Sequence, residues 1–159
     1  MRHGRGDGRG DGRGAGAPPS ASSSQRARRR RVAAERAARS ARILVCECDA
    51  GSRPSIGDAV RDLGYEVVAH HSLADALRDV AASPPDLVIA SFDQLDHERS
   101  SLLGLLRRSA PTVRLVIVTG DGSMSMRLRC QTTRPYYVAV RPLPEGELRS
   151  ILAGALARA

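Results

Sequence analysis

The sequence predicts an α/β domain with five parallel strands, preceded by a disordered N-terminal tail. Two observations carry this prediction. From Arg42 onward, apolar runs of about five residues alternate with stretches of helical periodicity, which is typical of βα units around a parallel sheet. Before Arg42, Gly, Arg, Ser and Pro dominate and little apolar surface is available for burial. At 159 residues the chain suits one domain.

The elements follow in order, and turn residues separate them. Gly64 is placed to end the first helix of the domain, Ser72 to cap the second, and Pro84-Pro85 to terminate it. Pro144 is placed to open the last helix. The predicted strands cover residues 43–48, 65–69, 86–91, 113–118 and 136–140. The predicted helices cover residues 55–63, 72–82, 102–108, 123–131 and the segment from Pro144 onward.

The charge is concentrated in the tail. Residues 1–42 hold 12 Arg and three acids, whereas residues 43–159 carry a net charge of −1 out of +8 for the chain. We expect disorder over residues 1–41, with a short helix allowed from Val32 to Ala41, and a domain over residues 42–159. Two interpretations of the tail stay open: contact with nucleic-acid phosphates, or translation that starts at Val32, so that residues 1–31 are not made.

Composition excludes several other classes of protein. Three Cys in a chain of this size do not form a disulfide framework. No run approaches 18 apolar residues, so no membrane partner is expected. A reducing cytoplasm is the predicted location.

Polar residues lie where four of the strands end. They are Glu47-Cys48-Asp49, Ser91, Thr119 and Arg141-Pro142. The segments around these residues resemble the first, third, fourth and fifth strands of a response-regulator receiver domain, of the CheY-like superfamily. In chain order they read ARILVCECDA, PDLVIASFDQLD, RLVIVTG and VAVRPL. This resemblance implies a flavodoxin-like, doubly wound sheet of strand order 2-1-3-4-5, with the site at the carboxyl ends of the strands.

The resemblance also assigns roles to these positions, and three of the residues depart from them. In the family, an acid pair holds Mg²⁺, an aspartate accepts the phosphoryl group, and a hydroxyl residue and a lysine contact it. Here Cys48 replaces one acid, Ser91 the phosphoacceptor and Arg141 the lysine, whereas Thr119 keeps the hydroxyl. A serine hydroxyl is not ionised at pH 7, and Mg²⁺ prefers several hard oxygen ligands. We therefore expect no catalytic residue, no enzyme activity and no cofactor, with Mg²⁺ doubtful.

The residues of this degenerate pocket allow alternatives. Ser91 is a nucleophile activated by His97, or a small residue that fills the acceptor position. Arg141 pairs with Glu47 or Asp49 across the pocket mouth, or is solvated. Glu47 and Asp49 remain weak candidates for a metal.

Six further side chains near the strand ends carry weaker signals. Cys46 and Cys48 share a strand face and are expected to be buried thiols. His70-His71 is expected to be a solvated turn. Asp93 and Asp96 are expected to be polar residues of a solvated loop, with weak cation binding as the alternative.

The leading functional hypothesis is a stand-alone receiver-like module that binds partners independently of phosphorylation. The partner would be a protein, such as a histidine kinase or another signalling protein. In the family, docking uses the fourth helix, fifth strand and fifth helix, a face that here includes Arg127, Arg129 and Tyr136. Val138 occupies the position of the family's switch aromatic. The alternatives are a phosphorylatable regulator that uses Asp93, and a nucleic-acid-associated protein that acts through the tail.

Overall fold

The computed structural model describes residues 23–39, 41–49 and 55–157, with the side chains of residues 33–39 excepted. The strands are β1 (Arg42–Glu47), β2 (Glu66–His70), β3 (Leu87–Ser91), β4 (Arg114–Thr119) and β5 (Tyr137–Val140). The helices are α1 (Ser23–Arg39), α2 (Ile56–Asp62), α3 (Leu73–Ala82), α4 (His97–Ser109), α5 (Met124–Gln131) and α6 (Glu145–Leu156).

The five strands form one parallel sheet in the order β2-β1-β3-β4-β5. The predicted fold class and strand order are confirmed. Strand β3 lies at the centre and all five of its residues are buried. Its register aligns Ser91 with Glu47 on one side and with Val118 on the other. The carboxyl ends of β1, β3 and β4 are therefore level, so residues that follow these strands meet at one edge.

Each face of the sheet packs against its own helical layer, because side chains along a strand alternate between the two faces. On one face, β1 and β3 contribute side chains that pack with buried residues of α3, α4 and α5, and this face includes Leu44, Cys46, Val88 and Ala90. On the other face, Ile43, Val45, Leu87 and Ile89 pack with residues of α2 and α6. The two cores make the central strands rigid supports for the loops at their ends.

Short polar side chains fix the helix starts next to these loops. Ser55, Ser72, Asp96 and Ser123 each accept a backbone N–H from the first turn of α2, α3, α4 and α5. Asp96 starts α4 at His97, earlier than the predicted start of this helix at residue 102. The sequence prediction followed the leucine pattern, whereas the capping aspartate determines where the helix begins.

Helix α1 precedes the sheet and lies within the segment 1–41 for which disorder is expected. It begins at Ser23, earlier than the short helix from Val32 to Ala41 that the sequence allows. The segment from Ser23 holds Gln, Ala and Arg without Gly or Pro, so intrinsic propensity favours a helix there. Residues 1–22 lie outside the described residues. Across the described ranges, no helix is long and apolar enough to cross a bilayer.

Two glycines with open space around them provide a test of backbone conformation. Gly64 follows α2 with φ of +88°, and Gly146 lies in α6; neither has an atom within 4 Å of an added Cβ. We expect Gly64→Ala to lower the free energy of unfolding by about 1 kcal/mol, because L-residues are strained at positive φ. Gly146→Ala should leave it unchanged or raise it by up to about 1 kcal/mol. Urea denaturation measures both, and equal effects would contradict this account.

Candidate functional site

The strand register brings the sequence-predicted residues to one edge of the sheet. Glu47 ends β1, Ser91 ends β3 and Thr119 ends β4. Arg141 directly follows β5, and its backbone N–H donates to the Thr119 carbonyl at 2.8 Å. Because these are the carboxyl ends of neighbouring parallel strands, their side chains and the following loops meet at one edge, and this group of residues is called the pocket below.

The Arg141 side chain spans the centre of this pocket. Its guanidinium donates hydrogen bonds to Ser91 Oγ and to Asp93 Oδ1. The Arg141 side chain is only 17% exposed and that of Asp93 30% exposed, so solvent screens this ion pair weakly. The guanidinium is a permanent cation with a planar array of donors. Here it donates both to a hydroxyl and to a carboxylate. Arg141 therefore links the ends of β3 and β5.

The partner of Arg141 differs from the sequence prediction. We expected Glu47 or Asp49, but the acid that Arg141 contacts is Asp93. The strand order explains the difference. β1 lies beyond β3 when viewed from β5, so an acid in the loop after β3 is closer than an acid at the end of β1. The expectation that Asp93 is simple loop polarity is corrected at the same time.

Gly120 makes room for this ion pair. A Cβ added at Gly120 would lie 2.7 Å from Asp93 Oδ1, which is closer than real Cβ atoms approach an oxygen. The backbone that follows β4 therefore passes directly beside the Asp93 carboxylate. A glycine at this position allows the close approach.

Glu47 caps a helix. Its carboxylate accepts from Ser55 Oγ at 2.7 Å, from the Ile56 N–H at 2.9 Å and from the Gly57 N–H at 3.3 Å. These donors lie at the N-terminus of α2, where unpaired N–H groups and the helix dipole both favour an anion. The Glu47 oxygens are thus committed to positioning α2.

Asp49 pairs with an arginine that the sequence prediction missed. Its carboxylate accepts from Arg99 at 2.8 and 3.4 Å and from the Asp93 N–H at 2.7 Å. Burial lowers the pKa of the Arg99 guanidinium, but the hydrogen bonds to Asp49 and the negative charges of Asp49 and its neighbours together outweigh burial, so the pKa is raised. Arg99 lies in the first turn of α4, so the Asp96 cap was the signal that could have located it.

Ser91 and Thr119 lack the surroundings of reactive hydroxyls. Ser91 is 4% exposed and Thr119 is fully buried. Ser91 Oγ accepts from a guanidinium, which cannot remove its proton, and no hydrogen bond joins it to His97 within the described segments. His97 is exposed at the start of α4. Thr119 Oγ1 accepts from the Asp121 N–H at 3.1 Å. The nucleophile alternative for Ser91 therefore has no base to support it.

The acids of the pocket do not fit a magnesium ion. Glu47 is occupied by α2, and Asp49 and Asp93 are each paired with an arginine. Two permanent guanidinium charges at this edge oppose a divalent cation, and Mg²⁺ prefers several free hard oxygens in octahedral array. Across the described ranges, no three His, Cys, Asp or Glu side chains cluster as metal ligands.

Cys46 and Cys48 lie on one face of the β1 end, with their sulfurs 3.5 Å apart. Cys46 is fully buried in the core, whereas Cys48 is partly buried against it. The contact with Cys48 and burial both raise the pKa of the Cys46 thiol. Cys48 borders an open depression of about 210 Å³ that Arg99 and residues of α3 and α4 also line.

Two other predictions near the edge are corrected. His70 ends β2 and is not a solvated turn residue, because its Nε2 lies 2.9 Å from Asp79 Oδ2. This hydrogen bond and one from Arg42 lower the pKa of Asp79. Asp96 is the cap of α4, and its Oδ1 accepts from the Arg99 N–H at 2.7 Å. His71 is exposed, as expected.

The α5-β5-α6 surface, which holds the predicted docking residues, presents exposed apolar side chains. Because α1 precedes the domain, this surface corresponds to the predicted fourth helix, fifth strand and fifth helix. Arg127 and Arg129 are exposed, and Leu128 between them is 63% exposed. Tyr136 is half exposed, and its ring lies 5.5 Å from the Arg114 guanidinium carbon. An open depression of about 430 Å³ lies here, lined by residues that include Arg127, Gln131, Tyr137, Val138, Val140 and Glu147.

Comparisons with known proteins agree with this architecture. No family model matches the chain. The chain is 26% identical over 117 residues to the DNA-binding transcriptional regulator NtrC of Rhizobium meliloti (strain 1021). The matched region covers 74% of this chain and 24% of that protein. A receiver domain protein (CheY-like) of Methanospirillum hungatei JF-1 matches with a TM-score of 0.64 and 20% identity, over 74% of this chain and 94% of that one. The chemotaxis protein CheY4 of Vibrio cholerae gives 0.63 and 16%, over 73% and 98%.

The sheet described above has the fold of a CheY-like response-regulator receiver domain. The chain spans about a quarter of the length of the NtrC proteins that it matches (24%). What their names say of DNA binding therefore concerns those whole proteins. In this chain, Arg141 and Arg99 contact the polar residues at the strand ends of that fold.

The Arg141 ion pair predicts a difference between two arginines. Arg141→Ala removes the cation from a largely buried carboxylate, and we expect the free energy of unfolding to fall by about 2 kcal/mol. Arg149→Ala breaks an exposed pair with Glu145, worth at most about 0.5 kcal/mol. Thermal and urea denaturation of both variants measure the difference. Equal losses in the two variants would exclude a structural role for the Arg141 pair.

Proposed function

We propose that this chain is a receiver-type module of two-component signalling that binds a protein partner without being phosphorylated. One observation carries the proposal: the Arg141 guanidinium bridges Ser91 Oγ and Asp93 Oδ1 inside the pocket. A permanent internal cation thus occupies the space between the strand ends. The pocket holds its charges in balance without a bound ligand.

Phosphoryl transfer would require groups that this pocket does not offer. The acceptor position is Ser91, whose hydroxyl would need a base, and its nearest described partner is a guanidinium. Asp93 is a carboxylate, but its Oδ1 is held by Arg141 and its loop is fixed to Asp49. Transfer to either would have to break an ion pair and proceed without a fitted divalent ion. These features support a role in binding and not in enzyme catalysis.

The same contacts support a fixed conformation. Arg141 joins the end of β5 to the end of β3, and its backbone N–H bonds to Thr119 at the end of β4. The Thr119 hydroxyl accepts from Asp121 in the following loop. A ligand shifts a two-state element by binding one state more tightly than the other. The hydrogen bonds described here form within the chain and require no ligand. We infer that β5 and the surface around it keep one arrangement.

The docking surface in this proposal is the α5-β5-α6 surface. Met124, Leu128 and Tyr137 expose 70%, 63% and 43% of their surfaces there. Exposed apolar groups beside arginines are typical of protein interfaces, in which the apolar centre is buried and charges lie at the rim. The partner that this surface fits presents an apolar side chain to the depression and acidic groups to Arg127 and Arg129. A histidine kinase or another signalling protein is the proposed class.

The phosphorylation-independent proposal predicts no covalent adduct. Incubation with acetyl phosphate and Mg²⁺, followed by intact-mass spectrometry, should leave the mass unchanged. A receiver domain with an aspartate acceptor, treated in parallel, should gain one phosphoryl group. A gain by this chain that disappears in Asp93→Asn would instead establish the alternative in which Asp93 accepts phosphate.

The docking surface predicts a difference between two exposed leucines. Leu128→Ser on α5 should weaken the complex with the physiological partner about tenfold or more, because a central apolar anchor is lost. Leu105→Ser on α4 is the matched control, since Leu105 is 41% exposed on another helix. Affinity capture with the full chain identifies the partner, and calorimetry then compares the variants. Equal affinities for the two variants would move the docking site elsewhere.

A further inference from the structure

Helix α1 carries a dense cluster of arginines. Five arginines occur within positions 26–31, namely Arg26, Arg28, Arg29, Arg30 and Arg31. All described side chains of this helix, residues 23–32, are exposed. The first acid along the helix is Glu35, so no acid of α1 lies three or four residues from Arg26, Arg28, Arg29 or Arg30. The cluster lies outside the receiver-like domain, which begins at residue 42, so the proposed signalling role does not explain it.

Helical geometry distributes these arginines around the whole helix. Successive residues are rotated by about 100° and rise about 1.5 Å, so positions 26–31 place guanidinium groups on all sides over about 7.5 Å of axis. Five arginines on six residues amount to about one positive charge per 1.8 Å of axis. Duplex DNA carries one negative charge per about 1.7 Å of axis. The charge density of α1 therefore matches that of a nucleic-acid backbone.

The distribution of arginines around α1 also favours nucleic acid over a membrane surface as the ligand. A helix that lies on a bilayer needs one apolar face opposite its basic face. In the described part of α1, arginines surround the axis and Val32 is the only large apolar side chain. Arginine in addition donates two parallel hydrogen bonds to a phosphate, which lysine cannot do.

Like-charge repulsion provides a second, independent reason for an anionic ligand. Arg26 lies three and four residues before Arg29 and Arg30, and Arg28 lies three before Arg31. Like charges at these spacings are neighbours on a helix and destabilise it. A polyanion that wraps this segment would remove the repulsion, so binding and helix formation should reinforce each other.

We propose that α1 binds the phosphate backbone of nucleic acid, without reading base sequence. The chemistry is shared by DNA and RNA, and the experiment separates them. The proposal stands apart from the signalling role, because it rests on residues outside the receiver domain. Failure of the phosphorylation or docking tests would leave it unchanged.

Fluorescence anisotropy of the full chain tests it, with labelled duplex DNA, duplex RNA and single-stranded oligonucleotides between 50 and 200 mM salt. The test variant carries Arg→Gln at 26, 28, 29 and 30. The control carries Arg→Gln at 61, 78, 108 and 149, four exposed arginines of the domain. Both variants lose four charges, so they share one net charge. A variant with Arg→Lys at 26, 28, 29 and 30 keeps the charge of α1.

We expect the α1 variant to bind at least about tenfold more weakly, and the slope of log K against log salt to become shallower by about 3. The domain control should stay within about twofold of the parent, and the Lys variant within a few-fold. Far-UV circular dichroism should show a gain of helix on addition of oligonucleotide to the parent but not to the α1 Gln variant. Similar affinity for scrambled sequences is also expected.

Three outcomes would overturn the proposal. Equal losses in the two Gln variants would show that net charge alone is responsible. Tighter binding to vesicles of phosphatidylcholine and phosphatidylserine than to any oligonucleotide would assign α1 to an anionic membrane surface. An absence of binding by the parent at 50 mM salt would leave the cluster without a nucleic-acid role. Thermal denaturation of each variant confirms that the receiver domain remains folded.

Discussion

The Arg141 guanidinium is the contact on which the rest of the pocket depends. It reaches from the end of β5 to Ser91 and Asp93 at and beyond the end of β3, so one side chain ties together strands that are not neighbours. Gly120, between them, gives the Asp93 carboxylate room to meet it. A charge supplied by the chain is permanent, whereas a charge supplied by a phosphoryl group comes and goes. This permanent charge is the physical basis of the proposal that the pocket keeps one state without a bound ligand.

Each acid at this edge has a structural task, and the tasks differ. Glu47 satisfies the first N–H groups of α2, Asp49 holds Arg99 of α4 and the loop after β3, and Asp93 holds Arg141. Burying a carboxylate without a partner is costly, so these pairings are what allows the acids to remain in a partly buried site. Each carboxylate at this edge therefore already has its donors, and this is the physical reason that the residues do not fit a divalent cation.

The sheet and its order followed from patterns that are local in sequence. Strands such as Leu87–Ser91 appear as short apolar runs, and helix α3 as a capped amphipathic stretch from Ser72 to Ala82. These elements could therefore be predicted without knowledge of contacts between residues distant in sequence. The pairings inside the pocket were harder to predict. Arg99 was missed because the start of α4 is determined by Asp96 and not by the leucines. Asp93 was not assigned to Arg141 because side-chain partners depend on how loops from different strands pass one another.

The charges of the chain separate into two regions with different physical consequences. Residues 43–159 are nearly neutral, and α1 carries a concentrated positive charge just before them. If α1 holds nucleic acid and the α5-β5-α6 surface holds a protein, the short connection between α1 and β1 keeps the two ligands at high effective concentration. The single conformation proposed for the domain suits this arrangement, because a rigid support keeps the distance between two bound ligands constant. If the domain is not phosphorylated, as proposed, it can still join two ligands, since that role requires a stable geometry and not a change of state.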